Sequence, residues 1–296
     1  MPGIFIDQLL LIWRHPSRRV MARWPEATRL LEFPNARLRV RDVGSGSRTI
    51  VLTPDSPVML ENYDRLIALL APHARVICFE FPGCGFSYPR FGFRFALADY
   101  VGILGDVMDA LHIERATLAF TCVNAFVAMA YARTHPDRVE RLMLAQVAGA
   151  AQMRAFGERI DLNLGGLHVL HTPVLGQLFM MAARKPIAHR WFRSALPKGF
   201  DIGPIWDQVH RVLTDGGAFC LASLIQGQSM IAADELNVTG VPTHVVWGDA
   251  DRTHRKTDKN SIVSHLPHAK IHHLEVCGHC PDIEAPELYS RLLLEG

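Results

Sequence analysis

One cysteine of this chain stands where its thiol can act as a nucleophile. Cys122 follows an apolar run at residues 116–121 and precedes a helical pattern at residues 124–133. A thiol at the start of a helix lies at the positive end of the helix dipole, and a neighbouring histidine can accept its proton. We therefore expect a thiolate and imidazolium pair near neutral pH, suited to attack on a carbonyl carbon.

A second group of reactive residues lies near the C-terminus and suggests other chemistry. The motif C-G-H-C at residues 277–280 has the spacing of a redox pair, but it is not placed at the start of a helix in an N-terminal thioredoxin-like unit. His268, His272 and His273 add possible zinc ligands. A single C-x-x-C without a second pair is a poor zinc motif, and adjacent strand residues point to opposite faces. We therefore predict no metal and no cofactor.

Strand patterns and helical patterns alternate on both sides of Cys122. The predicted strands are 37–43, 49–53, 75–81, 116–121, 139–146, 241–247 and 271–276, and the predicted helices are 62–70, 97–111, 124–133, 253–266 and 281–294. Such alternation implies parallel strands joined by right-handed crossovers. The sequence therefore predicts an α/β fold, a three-layer sandwich with a mostly parallel sheet.

The alternation lapses between residues 148 and 233, where helical stretches occur without strand signals. We interpret this segment as a helical cap inserted into a core formed by residues 36–147 and 234–296. Residues 1–35 are predicted to form an N-terminal helical extension. Its apolar run is followed, not preceded, by Arg14, Arg18 and Arg19, which is the wrong order for a secretion signal. Packing against the protein body is favoured, and a membrane-surface or partner-binding helix stays open.

Composition and charge exclude several classes of protein. The chain has 296 residues, 49% of them hydrophobic and 20% charged, with a net charge of +2. A chain of this length can bury roughly three-quarters of its unfolded surface. The charge balance offers no basic block for nucleic acid, and no run of about 18 apolar residues predicts a membrane span. Six scattered cysteines without an export signal indicate reduced thiols and a cytoplasmic protein.

Four motifs of the chain resemble those of the α/β-hydrolase superfamily, from about residue 37 onward. They are F-P-G-C-G-F-S at 81–87, L-A-F-T-C-V-N-A at 118–125, V-V-W-G-D-A-D at 245–251, and C-G-H at 277–279 with E-A-P at 284–286. Each motif alone is unspecific, but the order of nucleophile, acid and histidine, with a helical insertion after the nucleophile, is the order in that family. The resemblance implies an α/β-hydrolase fold with a cap.

The resemblance also implies a role for three residues. Cys122 stands where the family usually has serine, His279 is the base, and Asp251 holds the imidazole in the required tautomer. Asp249 is a rival for Asp251. We favour Asp251 because the family places the acid at the second aspartate of G-D-x-D.

The oxyanion of an acyl-transfer intermediate requires two backbone N–H donors. The resemblance implies Val123 as one donor and the loop after the third strand as the source of the other. That loop lacks the His-Gly usual in the family, and Pro54 and Pro57 have no N–H. The second donor is therefore Asp55 or Ser56. The Asp55 side chain is also a candidate to act on substrate or water.

These assignments predict an acyl-transfer enzyme that forms an acyl-thioester on Cys122. The expected substrate is a small-molecule or carrier-linked acyl thioester, lactone or ester with an apolar acyl group, as for a thioesterase, cyclase or acyltransferase. Phe120 and Asn124 stand where the family has small residues, so a non-catalytic binding protein on the same fold is the alternative. The sequence does not determine the oligomeric state.

Overall fold

A central β-sheet organises the protein, whose computed structural model describes residues 2–228 and 233–295. The strands are β1 (Thr28–Glu32), β2 (Ala36–Val43), β3 (Thr49–Thr53), β4 (Arg75–Phe79), β5 (Cys84–Gly85), β6 (Tyr88–Pro89), β7 (Ala116–Thr121), β8 (Val139–Ala145), β9 (Asn163–Leu164), β10 (Leu167–His168), β11 (Ala218–Phe219), β12 (Thr243–Gly248) and β13 (Lys270–Leu274). The main sheet has the order β1-β2-β4-β3-β7-β8-β12-β13, and β6 pairs with β2.

Most strands of this sheet are parallel. Strands β4, β3, β7, β8, β12 and β13 pair in parallel with their neighbours, whereas β1, β2 and β6 add antiparallel pairs at one end. Every residue of β7 is buried, as expected for a central strand covered on both faces. The predicted α/β class with a mostly parallel sheet is confirmed. The carboxyl ends of β3, β7 and β12 consequently meet at one edge, where their loops form the candidate site.

Helices cover the sheet and extend above its carboxyl edge. They are α1 (Pro2–Leu11), α2 (Arg18–Met21), α3 (Asp64–Leu70), α4 (Leu97–Ala110), α5 (Asn124–Thr134), α6 (Ala150–Ile160), α7 (Leu175–Ala195), α8 (Gly203–Thr214), α9 (Leu221–Gln228), α10 (Pro281–Glu284) and α11 (Pro286–Glu295). Helix α3 packs against α11, and α4 packs against α5. None of the helices in the described part of the chain has the length and apolar character needed to cross a bilayer.

The predicted cap segment is not purely helical. Helices α6 to α9 lie between β8 and β12, but β9 and β10 form a small hairpin among them, and β11 pairs with β5 of the loop after β4. Short strands of two residues carry no detectable period in the sequence. Residues 229–232 of the predicted cap, and residues 1 and 296 at the ends of the predicted extension and core, lie outside the described residues.

Two other predicted helical segments differ in the structure. Residues 28–32 of the N-terminal extension form β1, because Pro34 and Asn35 turn the chain back and pair it with β2. The predicted helix at 253–266 is reduced to a 3-10 segment, Lys259–Ser264. The Asp258 side chain caps that segment by accepting a hydrogen bond from the Asn260 amide, so helical structure starts there and not at residue 253.

Candidate active site

Cys122 lies at a strained turn between β7 and α5. Its φ of 56° is in the left-handed region, which costs a non-glycine residue about 1–3 kcal/mol. The Cys122 amide donates a hydrogen bond of 2.8 Å to the carbonyl of Ala145 at the end of β8, and this bond holds the turn against the sheet. The thiol is buried at the carboxyl edge, with 3% of the residue exposed.

The two large side chains two positions before and after Cys122 both have defined partners. The Phe120 side chain is buried and makes an edge-to-face contact with Phe81, with ring centroids 6.0 Å apart. The Asn124 side-chain amide donates a hydrogen bond of 3.0 Å to the carbonyl of Pro54 in the loop after β3. Asn124 therefore joins the two loops that carry the candidate oxyanion donors, a role with no signal in the sequence.

His279 lies in the loop after β13 and contacts Asp251 in the loop after β12. The distance from His279 Nδ1 to Asp251 Oδ2 is 2.7 Å, and both side chains are buried. Burial by itself raises the pKa of Asp251, but the charge and hydrogen bond of His279 outweigh it and hold that pKa well below its usual range. Gln146 donates a further hydrogen bond of 2.8 Å to Asp251 Oδ2. Asp251 is thus fixed as an acceptor for the imidazole.

The rival carboxylate, Asp249, lies elsewhere. It accepts from His273 Nδ1 at 3.1 Å and forms an ion pair with Lys259 at the protein surface. The two aspartates point in different directions because Gly248 ends β12 and the chain turns immediately after it. Asp251, and not Asp249, contacts His279.

A second carboxylate, that of Asp55, lies on the other side of the imidazole. Asp55 Oδ2 is 3.4 Å from His279 Nε2, and the carboxyl group also contacts the Cys122 thiol. Burial raises the pKa of Asp55, and hydrogen bonding to His279 opposes that shift. The Asp55 side chain therefore reaches into the site, as the sequence permitted. His279 lies between two carboxylates.

The two other candidate oxyanion donors are close to this group. Val123 and Ser56 both line the cavity that contains Cys122. The Val123 N–H faces the Cys122 sulfur, and the Ser56 hydroxyl is directed away, donating to Cys84 Sγ at 2.8 Å. Both backbone amides thus remain candidates for binding an oxyanion.

The charge state of the thiol differs from the predicted one. Burial and the Asp55 charge raise the pKa of Cys122 to about 11, and His279 only partly offsets them. Burial lowers the pKa of His279, but Asp251 and Cys122 reverse this effect and raise it well above its usual value. Burial thus opposes the predicted thiolate, since it disfavours the charged form of the thiol.

A second imidazole, missed at the sequence level, stacks on His279. The ring of His254 lies 5.2 Å from that of His279 and 3.9 Å from that of Phe156, measured between centroids. The Cys122 sulfur and one nitrogen of each histidine lie within 4.8 Å of one another. Burial lowers the pKa of His254 to about 3, so this second imidazole is neutral. No spacing pattern marks His254, since it lies in a segment predicted as helix.

The cavity above Cys122 is mainly apolar. Its volume is about 100 Å³, and its polar lining includes Asp55, Cys122 and His279. Apolar lining residues from the predicted cap are Ala150, Met153, Phe156, Ile160, Ile187, Trp191, Phe219, Leu221, Leu224 and Ile225. The Trp191 ring makes an edge-to-face contact with His279 at 5.0 Å. The inserted helices therefore lie over the carboxyl edge and enclose the site.

The match to known families agrees with this geometry. A family model described as "Alpha/beta hydrolase family" matches residues 44–292, most of the chain. The chain belongs to the alpha/beta hydrolase family. Within this alpha/beta hydrolase, the matched residues span both parts of the predicted core and the inserted helices between them.

Relatives of this alpha/beta hydrolase include enzymes of known activity. A 2-hydroxy-6-oxononadienedioate/2-hydroxy-6-oxononatrienedioate hydrolase of Cupriavidus pinatubonensis is 25% identical over 281 residues, covering 88% of this chain and 90% of that protein. A cis-3-alkyl-4-alkyloxetan-2-one decarboxylase of Shewanella oneidensis is 24% identical, covering 78% of this chain and 76% of that protein. Epoxide Hydrolase A from Mycobacterium thermoresistibile has a TM-score of 0.75 at 15% identity, covering 90% of this chain and 97% of that one. The last likeness shows the fold alone.

Two groups of residues in the described ranges of this alpha/beta hydrolase bring three possible metal ligands together. One is Cys122 with the two histidines at 254 and 279, and the other is Asp161 with His168 and His171 in the inserted segment. The histidines at 268, 272 and 273, which the sequence suggested as zinc ligands, are in neither group. His272, for example, contacts His244 at 3.1 Å across neighbouring strands.

Proposed function

We propose that this alpha/beta hydrolase transfers acyl groups through a thioester formed on Cys122. The observation that carries the proposal is the strained backbone of Cys122 at a strand–turn–helix junction, with a φ of 56°. Such strain persists only where the surrounding structure enforces it, and it is concentrated at functional sites. In a nucleophile elbow the strain presents the reactive atom at the top of the sheet.

The first half-reaction forms the acyl-enzyme. Cys122 loses its proton to the Asp55 carboxylate, because His279 already carries one. The sulfur then bonds to the substrate carbonyl carbon, and the resulting oxyanion accepts hydrogen bonds from Val123 and from Asp55 or Ser56. In a measured protease, one such donor lowers the free-energy barrier by about 3–4 kcal/mol. The leaving group departs with a proton from His279.

The second half-reaction restores the enzyme. Neutral His279 accepts a proton from water as the water oxygen attacks the thioester carbon, and Asp251 stabilises the imidazolium that forms. Collapse of the intermediate expels the Cys122 thiolate, which takes back its proton from Asp55. All protons return to their starting groups. An amine or alcohol in place of water gives transfer or cyclisation instead of hydrolysis.

The cavity supports an apolar acyl group as substrate. Phe126, Phe156 and Trp191 supply aromatic walls beside the sulfur. Exchange of a substrate thioester for an enzyme thioester is nearly balanced in energy, so a small-molecule or carrier-linked acyl thioester fits this thiol. The names of curated relatives add 2-hydroxy-6-oxo acids to the carbonyl compounds worth testing.

We further propose that residues 148–233 act as the cap, residues 36–147 and 234–296 as the catalytic core, and residues 1–35 as an attached extension. The cytoplasm is the proposed location, because all six cysteines are free thiols in the structure.

Intact-mass measurement after incubation with acyl thioesters, lactones and a 2-hydroxy-6-oxo acid tests the mechanism. A thiolate leaving group needs no proton, so His279→Ala should still be acylated by a thioester while deacylation stalls. We expect an adduct on the peptide containing Cys122 in that variant and none in Cys122→Ala. Cys122→Ser should acylate slowly, because an alkoxide forms less readily than a thiolate.

Cys280→Ala is the matched control, since Cys280 is buried one residue from His279 and does not line the cavity. Its adduct and turnover should equal those of the wild type. Full turnover in Cys122→Ala, or an adduct on another cysteine, would contradict the assignment of the nucleophile. Ligand binding without any adduct would instead establish the alternative, a non-catalytic binding protein.

A further inference from the structure

Helix α1 and the turn after it present large apolar side chains to solvent. Phe5, Leu9 and Leu10 are exposed on one side of the helix, and Trp13 is 86% exposed. Isolated exposed apolar residues are common on protein surfaces, but a contiguous group indicates an interaction site.

The opposite side of α1 is fixed to the protein body by buried polar groups. Asp7 Oδ2 accepts a hydrogen bond of 2.7 Å from the Ser223 hydroxyl of α9. Gln8 Nε2 donates one of 2.6 Å to the carbonyl of Phe93. The orientation of the helix is therefore set by specific bonds, and its apolar side faces outward as a consequence.

Helix α7 lies beside α1 and runs in the same direction. A Cβ atom on Gly3 would overlap the side chain of Gln177, so the two backbones approach closely there. Further along both helices, Leu10 and Met181 line a common cavity.

Helix α7 adds further exposed apolar side chains next to those of α1. Leu175, Leu178 and Met181 are all exposed. We call the combined surface the apolar face, formed by Phe5, Leu9, Trp13, Leu175, Leu178 and Met181. These six residues belong to two neighbouring helices and the turn after one of them.

The exposed charged side chains of α1, of α7 and of the turn after α1 are all basic. Helix α7 contains no aspartate or glutamate, and the single acidic residue of α1, Asp7, is buried. Arg14, Arg18 and Arg19 are exposed directly after α1. An apolar surface bordered by arginines with an exposed tryptophan has the composition of a segment that lies in a membrane interface.

We propose that the apolar face docks on the surface of an anionic lipid bilayer. The apolar side chains would enter the boundary between headgroups and acyl chains, and the arginines would contact lipid phosphates. Each basic residue near such a surface increases the binding constant about fivefold. The attachment is peripheral.

A second copy of the chain suits this surface less well. A two-fold interface places the same patch against itself, so the arginines of one copy would face those of the other. Acidic residues that could compensate them are absent from the sequence of both helices except for buried Asp7. Anionic lipid supplies the missing charge.

Helix α7 also forms one wall of the candidate site. Attachment to a bilayer would therefore assist substrate entry, an inference that rests on the proposed function. Ile187 and Trp191 of α7 line the cavity above Cys122. An apolar acyl substrate dissolved in a bilayer would thus reach the site along the helix that contacts the membrane.

Vesicle binding tests the proposal without using activity. The probes are vesicles of phosphatidylcholine alone and of phosphatidylcholine with phosphatidylglycerol, in co-sedimentation at low and high salt. We expect binding to the anionic vesicles only, weakened by salt. Leu9→Gln combined with Trp13→Gln should reduce it at least tenfold. In the wild type, brominated lipid should quench Trp13 fluorescence, and this quenching should disappear in Trp13→Gln.

Val276→Gln is the control, because Val276 is 79% exposed and lies outside the apolar face. It should bind as the wild type does. Equal affinity for neutral and anionic vesicles, or no binding to either, would overturn the proposal. So would a dimer in solution that the Leu9 and Trp13 changes dissociate, since the face would then join two copies. Hydrolysis of a short soluble thioester should be unchanged in the double variant, which separates this proposal from the proposed function.

Discussion

Replacing Asp251 with asparagine tests how the imidazole of the site is held. Asp251 Oδ2 accepts from His279 Nδ1 at 2.7 Å and from Gln146 at 2.8 Å, and Oδ1 accepts from the Thr253 amide and hydroxyl, both at 2.7 Å. Both oxygens therefore face donors. An asparagine has one oxygen, so its NH₂ group must face one of these donor pairs in either orientation.

The expected loss of kcat follows from this mismatch between the asparagine amide and the donors around it. When the NH₂ group faces His279, Nδ1 becomes the acceptor and the ring proton moves to Nε2, the nitrogen that must accept a proton from water. Loss of tautomer control in a comparable triad lowers kcat about 10⁴-fold, which corresponds to about 5.5 kcal/mol. Since Asp251 is the main group that raises the pKa of His279 against burial, that pKa should also fall.

The assay is deacylation of the proposed Cys122 thioester, followed by stopped flow or mass spectrometry as a function of pH. Asp249→Asn is the matched control, because Asp249 contacts His273 and Lys259 at the surface. It should deacylate within about twofold of the wild type. A similar decrease in the deacylation rate of both variants, or a decrease in Asp249→Asn alone, would refute the assignment of Asp251 as the acid.

Three further predictions concern groups around the triad. Asp55→Asn removes the proposed acceptor of the thiol proton, so acylation should slow about 10²-fold and recover as pH rises, and an unchanged pH profile of acylation would contradict this role. Asn124→Ala breaks the bond to Pro54, so denaturant unfolding should show a loss of about 1 kcal/mol, and oxyanion stabilisation should weaken with a lower kcat. Burial raises the pKa of Glu284 from 4.5 to about 7. Protonation of Glu284 therefore stabilises the folded state fully below pH 4.5, and this stabilisation is lost as the pH rises through 7. Glu284→Gln should flatten that part of the pH dependence of unfolding, and an unchanged slope would show that another group is responsible.

The sequence by itself determined the order of the main elements and the edge at which the site lies. Strand and helix patterns are local, so the runs that form β3, β7 and β12 could be identified from period and turn residues. Parallel strands bring their carboxyl ends to one edge, and this places Cys122, Asp251 and His279 in loops of the same region.

Tertiary structure alone decided the chemistry within that region. The Asp55 carboxylate contacts the imidazole from a loop more than two hundred residues away in sequence, and His254 stacks on it from a segment predicted as helix. Burial of Cys122 and the Asp55 charge raise the pKa of the thiol to about 11, against the direction suggested by its place at a helix start. A sequence pattern records which residues follow one another, whereas desolvation and charge interactions depend on which groups the fold brings within a few ångströms.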